Sequence, residues 1–242
     1  MILIAIYCII IISAGVLGMM KQPVVLPVQV ADICAGSWPA TTQIIAGIYH
    51  AKSTGTGSII DVSMTDAAYS LLVMPLAKYA VNQQQVGAGT DILSGAYPCY
   101  DVYRTSDGYI SVGNLEPKFW LTFIEVLQLP ELKDSAYAEG DDAVNVRNKL
   151  QSVLLQHSNQ YWSELFHDID TCVEPIYPPE SRAQLDKQLS TRNLDISITV
   201  GNKSISVVKT PLNMSGVVHA DTPGPKIGEH SKLIRSQLNS KL

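Results

Sequence analysis

The chain opens on twenty residues without a single charge, MILIAIYCIIIISAGVLGMM. About 18 apolar residues in a row can cross a bilayer as a helix. A membrane anchor is therefore one reading, and a buried helix with a truncated start is the other. A signal peptide fits less well, because no basic segment precedes the run and no clean small-residue cleavage site follows it. Pro23 and Pro27 then break the pattern and predict an extended linker over 21–30. After Asp32 the apolar positions take a helical period: Ile44, Ile45 and Ile48 recur on one face, with Ala40, Gly47 and Ala51 small enough for close packing. Ser53-Thr54-Gly55-Thr56-Gly57 predicts the stop. Ile59-Ile60-Asp61-Val62 reads as a short buried strand. A second helix is expected near Ser63 and Thr65, with Ala67, Ala68, Leu71 and Leu72 facing inward. Residues 82–95 are polar and glycine-rich, like a linker.

From Tyr97 the period shortens. Tyr97–Tyr103 and Tyr109–Val112 predict two strands joined through Ser106-Asp107-Gly108, a strong hairpin signal. Helical periods follow over 117–129, 141–157 and 159–169. Val173–Ile176 reads as a strand, and Pro178-Pro179 as the start of another helical stretch. Leu194–Val200 and Ser204–Val208, linked by Gly201-Asn202, predict a second hairpin. The prolines from Pro211 onward leave a loop and then a short terminal helix. This is an α/β organisation with a small α+β segment set in the middle.

Composition adds one point. Hydrophobic residues are 46% and charged residues only 16%, against about 25% in an ordinary soluble domain. A large hidden surface such as a subunit interface follows. A net charge of −5 and no basic stripe argue against nucleic acid. Cys8, Cys34, Cys99 and Cys172 are scattered and form no CxxC pair, so neither a zinc site nor a disulfide framework is expected.

Little of the remaining chemistry is specific. Thr54-Gly55-Thr56-Gly57 precedes an expected strand, whereas a phosphate cradle needs its glycines at a strand-to-helix turn. It reads as a helix cap. The histidines His50, His157, His167, His219 and His230 form no metal-ligand spacing, and no GxSxG elbow occurs. Asp32 stands out in an apolar run. It reads either as a helix N-cap or as a carboxylate kept ionised by a helix N-terminus, able to attack an acyl group. The small residues Cys34, Ala35, Gly36 and Ser37 leave room for a ligand there. Glu116, just before Pro117, is a second candidate, with helix capping as its plainer reading.

Six stretches taken together resemble the family III CoA-transferases and the related alpha-methylacyl-CoA racemases. They are Val30-Ala31-Asp32 with Ala35-Gly36-Ser37, the segment from Lys52 to Asp66, that from Pro98 to Gly108, that from Val112 to Trp120, Cys172-Val173-Glu174-Pro175, and the tail from Pro223 to His230. Their order spans nearly the whole chain from about Ser13. The resemblance implies a Rossmann-like large domain, present here in part, with an inserted small α+β domain. It divides the chain into an apolar start (1–20), a large-domain part with the catalytic aspartate (21–90), a small domain (91–185) and a return to the large domain (186–242).

It also implies an interlocked homodimer, coenzyme A esters and carboxylic acids as substrates, no permanently bound cofactor and no metal. A membrane role is not expected. The implied location is cytoplasmic, or mitochondrial or peroxisomal in a eukaryote. Asp32 matches the catalytic aspartate, which in the transferases attacks a thioester and passes through acyl-anhydride and aspartyl-CoA intermediates. In the racemases the same position exchanges the α-proton. Glu116 matches the glutamate that pairs with the racemase histidine, Tyr100 matches a residue lining the acyl pocket, and Leu115 and Gly36 fall at substrate-binding positions. The histidine itself would fall near Gly18, where none exists. That tilts the expectation toward CoA transfer, with racemisation as the alternative. A non-catalytic remnant acting as a dimerising scaffold is the reading from outside the enzymes. The family's N-terminal part has no counterpart in residues 1–12, which suggests a truncated chain.

Overall fold

The computed structural model describes residues 15–83, 87–181, 191–192, 194–211, 215–216 and 223–239. The chain divides into two units, Met1–Ile176 and Tyr177–Leu242.

In the first unit a single turn of 3-10 helix, Val16–Met19, precedes an extended stretch. A π-helical segment, Val30–Ser37, then runs directly into α1, Trp38–Thr54. The helix stops at Gly55, whose φ of 74° lets its amide bond back to the Ala51 carbonyl at 2.9 Å. The glycine pair after Thr54 is thus a cap, as its sequence suggests. Helix α2, Met64–Ser70, is capped by Ser63, whose Oγ accepts from the Asp66 amide at 3.2 Å. Helix α3 covers Val73–Asn82.

The strand expected at 59–62 does not form. These residues adopt no regular secondary structure, and Ile59 is fully exposed. A strand needs a neighbour for its backbone groups, and none is supplied among the described residues.

The main core is built by the middle of the unit. Strands β1 (Tyr100–Arg104), β2 (Tyr109–Gly113) and β3 (Val173–Ile176) form an antiparallel sheet in that order. Period-2 alternation sends Tyr103, Ile110, Val112 and Val173 inward, while Val102 and Tyr109 face solvent. Against the inner face pack α4 (Pro117–Val126), α5 (Gly140–Leu154) and α6 (Asn159–Phe166). Helix α5 contributes Ala143, Val146, Leu150 and Leu154, the spacing of one helical face. Trp120, Phe123, Trp162 and Phe166 fill the centre. Both indole N–H groups donate to carbonyls at 2.9 Å, Trp120 to Leu132 and Trp162 to Leu154. The two largest core residues therefore leave no polar group unpaired.

The hairpin turn is fixed from outside. Thr105 Oγ1 bonds Asn159 Oδ1 at 2.6 Å, and the Asn159 amide donates to Asp107 Oδ1 at 2.7 Å. A Cβ at Gly108 would come within 2.7 Å of Asn159 Nδ2, so only glycine fits that approach.

In the second unit β4 (Asp195–Val200) and β5 (Lys203–Val208) form the expected hairpin, turning at Gly201 with φ 61°. Helix α7, Ser231–Asn239, follows. The helical stretch expected from Pro178 falls largely outside the described residues, as does most of the uncharged N-terminal run. No described helix is long and apolar enough to cross a membrane.

Candidate active site

Asp32 is not the N-cap of its helix. Gln29 holds that position, and Asp32 sits three residues on, within the first turn of the π-helical segment. The carboxylate still lies at the positive end of the helix dipole. It is half-buried and forms no ion pair among the described residues. Beneath it, Ala31 and Ala35 are fully buried against Ala68 of α2, with Val16 and Leu17 packed alongside. The packing at this contact is close. A Cβ at Gly36 would lie 3.3 Å from the Ala31 carbonyl oxygen and 3.3 Å from the Met64 side chain. Ser37 Oγ donates to the Asp32 carbonyl at 2.9 Å and tightens the turn. The Ile33 amide is already spent on Gln29 O at 2.9 Å, so it is not a free donor for a ligand.

Glu116 occupies the N-cap of α4, yet its side chain makes no capping bond and stays exposed. Capping is therefore not what that carboxylate does. Leu115, just before it, is half-buried and its carbonyl accepts from the Tyr137 hydroxyl. Burial, with smaller contributions from Cys99, Glu116 and Tyr97, raises the Tyr137 hydroxyl above its ordinary 10.0.

A cavity of about 790 Å³ opens beside the sheet, lined among others by Met19, Lys21, Leu93, Tyr100, Val112 and Cys172. Its rim is pinned from both sides. Asp101 of β1 meets Arg147 of α5 at 2.8 Å, and Arg147 Nη2 also donates to the carbonyls of Gly95 and Ala96, each at 2.9 Å. Across the sheet, the Cys172 amide donates to Oδ1 of the fully buried Asn114 at 2.9 Å. Residues 93–95, which read as linker in the sequence, thus form a wall of the cavity.

Of the five expected site residues, the structure brings only Tyr100 to this cavity. Asp32 and Gly36 lie on the π-helical segment, and Leu115 and Glu116 at the start of α4. The Val16–Met19 turn links the first pair to the cavity. Val16 and Leu17 pack on the Asp32 segment, and Met19 reaches the cavity wall. Sequence reasoning missed Lys21 and Cys172. One signal was available: Lys21 is the first lysine or arginine of the chain, and the next is Lys52.

The chain belongs to CoA-transferase family III, whose family model matches residues 9–231. Human alpha-methylacyl-CoA racemase is 26% identical over 206 residues, covering 84% of this chain and 53% of that protein. Succinate–glutarate CoA-transferase from Agrobacterium fabrum is 26% identical over 231 residues, covering 90% and 56%. A crystal structure of Rv3272 from Mycobacterium tuberculosis superposes with a TM-score of 0.75 at 20% identity, covering 94% of this chain and 62% of that one. The chain spans about half the length of the curated relatives it matches. Its relatives include both racemases and CoA-transferases, and the mixed α/β fold is shared with the Rv3272 structure.

Proposed function

We propose that this chain carries the nucleophile of a CoA transfer between an acyl-CoA and a free carboxylic acid. In the proposed sequence an Asp32 carboxylate oxygen adds to the thioester carbonyl, and the C–S bond breaks to release CoA thiolate. The thiolate then adds to the Asp32 carbonyl of the resulting anhydride and expels the first acid. The incoming carboxylate and the same thiolate repeat the two steps in reverse, which regenerates Asp32. No redox step and no net proton are needed. Each addition requires donors for the developing oxyanion.

The observation that carries transfer over racemisation is Gly18. Two-base α-proton exchange needs a second titratable side chain, and residues 15–20 offer none. One observation supports the racemase reading: Glu116 stands uncapped and exposed at the N-cap of α4. A single incubation separates the two. Propanoyl-CoA with acetate in deuterium oxide is expected to yield acetyl-CoA without deuterium at the α-carbon of recovered propanoyl-CoA. Asp32→Asn is expected to stop acetyl-CoA formation. Deuterium incorporation without exchange of acids would select racemisation instead.

The reading includes a homodimer. Helix α1 has 17 residues and buries none of them, and Ile45 and Tyr49 are 63% and 75% exposed. A helix that leaves such a face in water gains little from folding. A second copy of the chain is the proposed cover.

A further inference from the structure

The side-chain hydroxyls along the Asp32 segment and α1 follow the register of the backbone beneath them. In α1 those of Thr42, Ser53 and Thr54 donate four residues back, to the carbonyls of Trp38, Tyr49 and His50, each at 2.9 Å. Ser37 differs. Its Oγ donates five residues back, to the Asp32 carbonyl at 2.9 Å. Two neighbours keep the same spacing. The Trp38 amide donates to the Ile33 carbonyl, and a Cβ at Gly36 would lie 3.3 Å from the Ala31 carbonyl oxygen. Closure over five residues is the π-helical register, which is rare and frequent at functional sites. Before it, the Ile33 amide reaches back only four residues, to Gln29 O at 2.9 Å. The wide turns are thus confined to 31–38.

The segment is not free to relax by turning as a body. Ala31 and Ala35 are fully buried against Ala68 of α2. A slip to the four-residue register would have to unseat those alanines or move Asp32, which lies between them. A rare backbone conformation persists only where its surroundings over-determine it. Among the described residues no side chain other than Ser37 bonds the Asp32 backbone. Ser37 is exposed, so removing its hydroxyl opens no cavity and tests the bond alone.

We propose that Ser37 is a positioning residue for Asp32. Its hydroxyl holds the Asp32 carbonyl in the five-residue register and so fixes where the carboxylate stands toward a bound thioester. An attacking atom that is misplaced loses rate rather than affinity. The inference rests on the proposed role of Asp32 as nucleophile, while the hold on the register needs no substrate, so the two can fail separately.

The test measures steady-state transfer from propanoyl-CoA to acetate, and amide hydrogen exchange, on the full chain and three variants. Ser37→Ala is expected to lower kcat about fivefold and to leave KM for propanoyl-CoA unchanged. The same variant is expected to speed exchange of the amides of residues 36–38 by about the same factor. Ser37→Thr restores a hydroxyl and is expected to keep both parent values. Thr42→Val removes a hydroxyl that follows the four-residue register and is expected to change neither; a general weakening of the helix would lower kcat there too. The proposal is overturned if Ser37→Ala keeps the parent kcat or loses on KM instead. It is equally overturned if Ser37→Thr fails to rescue or if Thr42→Val falls as far. A parent protein that transfers nothing contradicts the proposed function. The exchange arm then decides the hold on the register alone, and parent-like exchange in Ser37→Ala overturns it.

Discussion

Gly36 and Gly18 show how differently two glycines of one unit can behave. At Gly36 the added carbon meets the Ala31 carbonyl oxygen and the Met64 side chain at 3.3 Å, a tight approach to which those neighbours must yield by a few tenths of an ångström. Gly36→Val is expected to destabilise the protein by about 1–3 kcal/mol through overpacking, read as a fall in the thermal midpoint. Gly18 meets nothing within 4 Å and is exposed. A side chain can be added there without a clash. If the missing second base is what separates this chain from the racemases, Gly18→His gains α-proton exchange on a 2-methylacyl-CoA in deuterium oxide while Asp32 is present. It gains none in Gly18→His combined with Asp32→Asn. Burial pushes the Cys99 thiol from its ordinary 9.0 up to about 11. The folded state thus favours the neutral thiol over the thiolate more than the unfolded chain does. Its stabilising contribution is complete below about pH 9 and is lost as the pH rises through 11. Iodoacetamide at mild alkaline pH is expected to label the exposed Cys34 and Cys172 and to spare Cys99 until the chain unfolds.

The elements divide by where their partners lie. The hairpin, the helices α4 to α6 and β3 were legible because alternation and helical period were both imposed by one local core, within about 80 residues of chain. Asn159 illustrates what stayed hidden. Its side chain ties the Thr105–Gly108 turn to α6 from more than 50 positions away, a pairing no periodicity encodes. Asn159→Ala is expected to cost about 1–3 kcal/mol, because Thr105 Oγ1 and the Ile176 carbonyl each lose a partner. At Ile59–Val62 the composition of a strand was present and the strand was not, since β-propensity expresses a fit to neighbours. The π-helical segment was equally illegible. Its sequence looks like an ordinary helix start, and so Asp32 read as a cap. Helix α1 had a clear period that the described residues do not use for burial. Glutamate at both Ile45 and Ile48 is expected to leave the protein folded and to shift its sedimentation from dimer to monomer.

At the scale of the molecule, the resemblance carried the site only in part. It named Asp32 and Tyr100, which the structure puts on different elements, the π-helical segment and the cavity beside β1, joined through the Val16–Met19 turn. The lining from Lys21 and Leu93 was out of reach, because residues distant in sequence meet there through loops without regular patterning. The low fraction of charge and the bare face of α1 are the two features that the proposed second copy would account for. All of this leans on one claim, that Asp32 is a nucleophile toward thioesters. Intact-protein mass spectrometry after incubation with a short acyl-CoA tests it most directly. The account predicts a covalent acyl or CoA adduct on the parent chain that maps to Asp32 and is absent from Asp32→Asn. An adduct of equal yield on Asp32→Asn, or exchange of CoA between acids that survives that substitution, would contradict it.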